Sequence, residues 1–285
     1  MKKFSKIIKI IFACFFLLLF GLYLLFVNFS APSSDLAVFE NFKELSAKPI
    51  ITKEFFKEFE FRKISMQEQI DTSKVTFVFI HGAIGSAMDF KKYFANPFLK
   101  NNANLISYDR IGYNYNDVHL AQQTIAFETA MLKNLTRKLD PKKTVLVGYS
   151  YGGPIALAMK ETYKAIVLLA PAVYSKVEPM PFMLNFFTWK ATRWLVPHVW
   201  KSASLEKIAH VRELQKYESN WSDNASQIIS FHGTADGIVP YENSLYLQKT
   251  IPKSKFTLIS LMDVGHDLVW TNQNVIIESL KKLVD

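Results

Sequence analysis

The sequence predicts an α/β fold: a mostly parallel, doubly wound sheet with an inserted helical cap, preceded by an N-terminal transmembrane helix. Three observations lead there. Short apolar, β-prone runs alternate with helix-length stretches, the pattern of a parallel sheet covered by helices on both faces. Nine of the ten glycines fall in five short segments, around Gly82 and Gly85, Gly112, Gly148 to Gly153, Gly233 to Gly237, and Gly265, and each segment follows such a run. A chain this sparing with glycine places it where backbone turns tightly or approaches something closely. Finally, Ile10 to Val27 is an apolar run that no charge interrupts.

Taken in order, residues 1–30 form the membrane segment. Eighteen apolar residues just span a hydrocarbon core at about 1.5 Å per residue. A cleaved signal is the alternative, but its apolar region usually runs to about 7–15 residues before an exit of small residues. Here the exit reads Phe26-Val27-Asn28-Phe29-Ser30-Ala31, with Phe29 where a small residue is expected. A lipid-bearing Cys14 is disfavoured because apolar residues continue well beyond it. An uncleaved anchor is the expectation. Lys2, Lys3, Lys6 and Lys9 favour an inside N-terminus and so an extracytoplasmic C-terminal domain, secreted if the segment is cleaved.

Residues 31–53 read as a polar connector with helix-prone patches. The alternation in Glu58 to Ile64, carried by Phe59 and Phe61, suits an early antiparallel strand with one solvated face. Val75–Ile80, Leu105–Tyr108, Thr144–Val147, Ala165–Leu169, Ile228–Phe231 and Phe256–Leu261 are short and mostly apolar on both faces, as buried parallel strands should be. Thr124–Leu139 and Tyr151–Tyr163 are of helix length. The stretch 174–226 holds no strand-like run and no glycine, and Pro179, Pro181 and Pro197 punctuate its many aromatic residues. Short helices in an inserted cap are the expectation, with some rings packing the cap and others lining a pocket. The expected division is thus 1–30, 31–53, a core of 54–173 and 227–285, and a cap of 174–226.

Composition narrows the functions. The net charge is +9, and four of those charges are the lysines before the apolar run, leaving +5 for the rest. No Lys/Arg block with interleaved aromatics supports nucleic-acid binding. Weak attraction to anionic lipid is the fair inference. Cys14 is the sole cysteine, so no intramolecular disulfide or thiolate-cluster metal site can form, and no metal or organic cofactor is implied.

The chemistry concentrates in three segments. Gly148-Tyr149-Ser150-Tyr151-Gly152 matches G-x-S-x-G, a strand-to-helix elbow that presents a serine on a sharp turn. The preceding Thr144–Val147 is a good strand and the following residues a good helix, with Pro154 tolerable in its first turn. Serine needs a base, and His266, late in the chain and just after a strand, is the preferred one. His81 and His232 stand before glycines at strand ends, where a structural hydrogen bond is the simpler role; His119 falls in a loop, and His198 and His210 in the cap. Asp236, after its own strand, is the expected acid, with Asp263 as the rival that better suits shaping the loop before His266.

Together these segments resemble the α/β-hydrolase fold superfamily, serine-nucleophile branch (esterase/lipase-like), from about Val75 to the C-terminus. His81-Gly82-Ala83-Ile84-Gly85-Ser86 is similar to its H-G-x-x-G-S loop, and Tyr108-Asp109-Arg110-Ile111-Gly112-Tyr113 to its Y-D-R-x-G-[YF] turn. Gly233 to Pro240 is similar to the acid-bearing segment and Gly265-His266 to the histidine loop. Ile111 stands where a proline is often found. The resemblance implies a Ser150–His266–Asp236 triad, with the backbone N–H groups of Ala83 and Tyr151 as the oxyanion hole. It also implies a two-step acyl transfer, and serine at the elbow argues against the aspartate-nucleophile branches. An aromatic cap beside an anchor favours an apolar or amphipathic carboxylic ester as the small-molecule substrate. An amide, peptide or C–C bond hydrolase, an acyltransferase, or a non-catalytic binding protein are the alternatives. The oligomeric state is left open.

Overall fold

The structure, a computed structural model, describes residues 2–284. Its centre is an eight-stranded sheet of order β1-β2-β4-β3-β5-β6-β7-β8. In chain order these strands are β1 (Ile50–Phe56), β2 (Phe59–Ser65), β3 (Thr76–Ile80), β4 (Asn104–Tyr108), β5 (Thr144–Tyr149), β6 (Ala165–Leu169), β7 (Ile228–Gly233) and β8 (Phe256–Leu261). β1 and β2 form an antiparallel hairpin, and β2 pairs antiparallel with β4; every other neighbour is parallel.

The parallel strands β3 to β6 are buried at every position, which is why their sequences read as continuous apolar runs. Alternate side chains feed two cores. Phe77, Phe79, Val145, Val147, Val167 and Leu169 point to one face, while Val78, Ile80, Leu146, Ile166 and Leu168 point to the other. The helix Ile125–Thr136, started by the Thr124 side chain accepting from Phe127 N at 3.1 Å, packs on the second face with Met131 and Leu132.

β3 is the pivot of the sheet. The chain leaves it to β4 on one side and later inserts β5 on the other. At such a switch the loops from two adjacent strand ends diverge and leave a crevice beyond the carboxyl edge. The loop after Ile80 and the turn after Tyr149 therefore begin side by side, because Ile80 pairs with Gly148.

Two segments differ from their sequence reading. Residues 31–53, expected as a connector, contain the helix Asp35–Glu44 and the start of β1. β1 is an edge strand with no fully buried residue, so it lacks the apolar signal that marked the others. The helix expected over Tyr151–Tyr163 stops at Leu157. The Asn224 side chain donates to the carbonyls of Leu157 (3.0 Å) and Met159 (3.1 Å), ending it from a residue far away in the sequence. Between Tyr174 and Ser226 the chain forms the helices Leu184–Thr188 and His198–Leu214 with short 3-10 turns, and no strand among the described residues.

At the other end, the helix Lys2–Ser30 stands apart from the sheet. Within Lys6–Ser30 an 18-residue window has a mean hydropathy of 2.9 and no buried residue, so the helix is long and apolar enough to cross a membrane.

Candidate active site

Ser150 sits in the turn between β5 and the helix Gly152–Leu157 with φ +54°. A non-glycine residue in this left-handed region costs about 1–2 kcal/mol, so the surroundings must hold it there. They do so through the backbone. Ser150 N donates to Leu169 O at 2.9 Å, while its carbonyl accepts from Gly153 N (2.9 Å) and Ala172 N (3.2 Å). Close approach does the rest. A Cβ on Gly152 would lie 2.2 Å from the Ile80 carbonyl oxygen, and one on Gly82 would lie 2.8 Å from Ser150 Cβ. The elbow is thus wedged against the end of β3 with no room for a side chain between them.

The three residues expected to act together meet at this point. His266, in the loop after β8, places Nε2 3.1 Å from Ser150 Oγ and Nδ1 2.8 Å from Asp236 Oδ2. Asp236, in the turn after β7, accepts at Oδ1 from the N–H groups of Ile238 (2.9 Å) and Val239 (2.8 Å). Burial opposes its charge, but the adjacent His232 and His266 and the Val239 N–H outweigh burial and hold the carboxyl well below its usual range. Asp236 is therefore an acceptor throughout the neutral range, which fixes the proton of His266 on Nδ1 and leaves Nε2 free to accept from serine.

The rival acid and the other histidines fall elsewhere. Asp263 is exposed and at φ +55°, with its backbone N–H on Thr234 Oγ1, so it shapes the loop. His232 is buried between Ser244 Oγ (2.8 Å) and Val239 O (2.9 Å), and its Nε2 lies 3.4 Å from Asp236 Oδ2. His81 donates from Nδ1 to Gly82 O (2.7 Å) and accepts at Nε2 from Arg110 N (2.9 Å). Burial and the neighbouring Arg110 push its pKa well down, so it stays neutral and structural.

The backbone N–H groups of Ala83 and Tyr151 find no acceptor among the described residues. They flank the Gly82–Ser150 contact on the loop and the elbow respectively. Ala83 is exposed, and Ile84 beside it adopts φ +57°, strained for a β-branched residue.

Three further residues escaped the sequence reading. Tyr149 stacks on the His266 imidazole, with ring centroids 5.1 Å apart, and its hydroxyl donates to His266 O at 2.9 Å. Arg110, fully buried, lies between the rings of Tyr113 (4.9 Å) and Tyr151 (4.8 Å). Its guanidinium donates to Gly82 O (3.1 Å) and to both oxygens of Glu206, at 2.7 and 3.1 Å. Glu206 belongs to the cap helix His198–Leu214, and Tyr113 donates to it at 2.7 Å. One cation thus joins the loop bordering Ser150 to the cap. Arg110 was visible within a motif; Glu206, one acid in a mixed helix, carried no signal.

Two concavities, of ≈ 540 Å³ beside β1 and β2 and ≈ 470 Å³ in the cap, lie away from the elbow, and neither is lined by Ser150, His266 or Asp236.

Comparison with known proteins agrees with this fold. A family model for the alpha/beta hydrolase fold matches residues 75–214. This chain has the α/β-hydrolase fold. No curated protein matches the sequence. Among solved structures, a membrane phospholipase A described as a bacterial virulence factor is 14% identical with a TM-score of 0.64, covering 100% of this chain and 98% of its own. Carboxylesterase CesB from Bacillus subtilis is 12% identical, with a TM-score of 0.63, covering 86% of this chain and 95% of its own. A 2-hydroxy-6-oxo-6-phenylhexa-2,4-dienoate hydrolase from Rhodococcus sp. strain RHA1 is 17% identical, with a TM-score of 0.61, covering 83% and 99%. At such identities the likeness is one of fold. The departure at Ile111 leaves the α/β-hydrolase turn intact: Ile111 is buried and Gly112 follows at φ +89°.

Two outcomes follow from these contacts. Glu206→Ala leaves Arg110 buried with a weaker partner, Glu128 at 3.4 Å, and should cost about 3–5 kcal/mol. Urea unfolding should show this, and Arg110→Met in the same chain should recover part of the loss. The second concerns Asp89, which accepts from Ser86 N at 3.2 Å beside this loop. Burial pushes its carboxyl from 3.8 up to about 7, the Ser86 N–H opposing and the like charge of Asp109 adding. Between those values the folded chain holds a proton that the unfolded chain has released, so stability falls as pH rises through the window. Asp89→Asn keeps the acceptor and should flatten that fall; an unchanged slope assigns it to another group.

Proposed function

We propose that the chain is a serine hydrolase that cleaves a carboxylic ester through Ser150, His266 and Asp236. The observation that carries this reading is the continuous hydrogen-bonded line from Asp236 Oδ2 through His266 to Ser150 Oγ, with steps of 2.8 and 3.1 Å. An activated serine needs a base within reach and a third group to orient that base.

In this reading His266 Nε2 takes the Ser150 proton as Oγ attacks the ester carbonyl. Asp236 steadies the imidazolium by accepting from Nδ1–H. The oxyanion is held by the N–H groups of Ala83 and Tyr151, and each such donor contributes about 2.7–4 kcal/mol in related chemistry. Collapse of the intermediate expels the alcohol, which receives its proton from His266. Water then attacks the acyl-enzyme with His266 again as base, and Ser150 is regenerated as the acid leaves. Tyr149, stacked on the imidazole, is a positioning residue for these proton transfers.

The substrate class we favour is an apolar or amphipathic ester. The exposed aromatics of the cap support it, as do the apolar helix Lys6–Ser30 and a structural likeness to a membrane phospholipase A that extends over that helix. We read Lys6–Ser30 as an uncleaved anchor, residues 174–226 as the cap, and the catalytic domain as extracytoplasmic.

Asp236→Asn should lower kcat toward a p-nitrophenyl ester by about 10⁴-fold with little change in KM, since it favours the wrong histidine tautomer. A loss under about tenfold would remove Asp236 from the role. Higher kcat/KM on short water-soluble esters than on long-chain ones would count against the apolar substrate.

A further inference from the structure

The cap touches the N-terminal helix at one well-defined place. The Trp200 indole N–H, in the helix His198–Leu214, donates to Ser30 Oγ at 2.8 Å, and its ring lies 5.5 Å from that of Phe26. Phe26 is at the end of the apolar run. At about 1.5 Å per residue, Ile10 to Val27 extends roughly 27 Å, close to a hydrocarbon core of about 30 Å. Trp200 therefore stands at the level where the helix leaves the lipid, on the reading that Lys6–Ser30 spans a membrane.

What surrounds Trp200 suits a lipid surface. Lys201 lines the ≈ 470 Å³ cap groove with Lys190 and Arg193, over a floor that includes Phe187, Trp194 and Leu205. Trp194 is 71% exposed and Phe182 69%, and Met183, Phe186 and Trp189 are exposed around them. A cluster of exposed apolar side chains of this kind marks an interaction site. From Pro179 to Leu205 the chain carries these three cations and no acid. Tryptophan beside lysine and arginine is the composition of a membrane interface, where amphipathic rings and cations with apolar stems sit at the headgroups. A second copy of the chain fits less well, because a symmetric contact would set the same uncompensated cations against each other.

We propose that this face of the cap is a second membrane contact. Trp189, Trp194 and Phe182 enter the headgroup layer of the bilayer that holds the anchor, and Lys190, Arg193 and Lys201 bind phosphates of anionic phospholipid. The docked face and the Ser150 site then share one helix, His198–Leu214, whose Glu206 grips Arg110.

The test is tryptophan quenching in the full chain, reconstituted in nanodiscs of phosphatidylcholine and phosphatidylglycerol with bromine on the acyl chains near the headgroup. Trp200 beside the anchor should be quenched in every variant. Because Trp189 and Trp194 are expected at the same depth, the double variant Trp189→Phe/Trp194→Phe should lose roughly half or more of the quenched emission. Replacing Lys190, Arg193 and Lys201 by Glu should abolish any dependence on phosphatidylglycerol. A chain retained in the discs and quenched equally with and without Trp189 and Trp194 would overturn the docking while leaving the anchor intact. A chain that the discs do not retain would overturn the anchor reading and the docking with it.

Discussion

Everything at this site depends on a contact with no side chain in it. The end of β3, the loop through Gly82 and the elbow at Ser150 approach so closely that a methyl group on Gly152 or Gly82 would collide with backbone or with Ser150 itself. That wedge holds Ser150 at φ +54° against its own preference and turns Oγ toward His266. The strain is local and the restraint is shared, with Gly153 in the elbow's own turn and Leu169 and Ala172 at and just beyond the end of β6 each giving it a backbone hydrogen bond. Strained residues persist where the surroundings over-determine them, and such places tend to be functional.

Two buried charge systems extend this rigidity outward. On one side Asp236 is fixed by two backbone N–H groups and in turn fixes the orientation of His266, while Tyr149 covers the imidazole face. On the other, Arg110 binds Gly82 O and Glu206 at once, so the loop beside Ser150 and the cap helix cannot move independently without exposing a buried ion pair. Because that same helix meets the N-terminal helix through Trp200, a mechanical path runs from the N-terminal helix to the loop that borders Ser150. Each link is a direct contact between named groups.

Much of this was legible in the sequence, and the reason is physical. Strands buried on both faces must be apolar throughout, so β3 to β7 announced themselves, and backbone approaching backbone admits only glycine, so the strand-end loops did too. β8 is an edge strand with Phe256 alone buried, and it was legible because Phe256, Leu258, Ile259 and Leu261 still make an apolar run. Ser150, Asp236 and His266 could be placed because each lies beside such a glycine signal. What was hidden depends on distant partners. β1 lies at the edge and is only half-buried, so nothing in Ile50 to Phe56 demanded a strand. The helix after the elbow stops at Leu157 because Asn224 reaches its carbonyls. Glu206 looks like a solvent-facing acid until the fold brings Arg110 against it, 96 residues away. Tyr149 was read only as the variable position of a motif, and its stacking on His266 arises from the loop after β8.

Covalent labelling of the full-length chain with a fluorophosphonate probe, followed by peptide mapping, decides whether Ser150 is an activated nucleophile. A single adduct is expected, on Ser150, and it should disappear in Ser150→Ala while the variant remains folded. A folded wild-type chain that takes no label, or takes it on another residue, would contradict that role for Ser150.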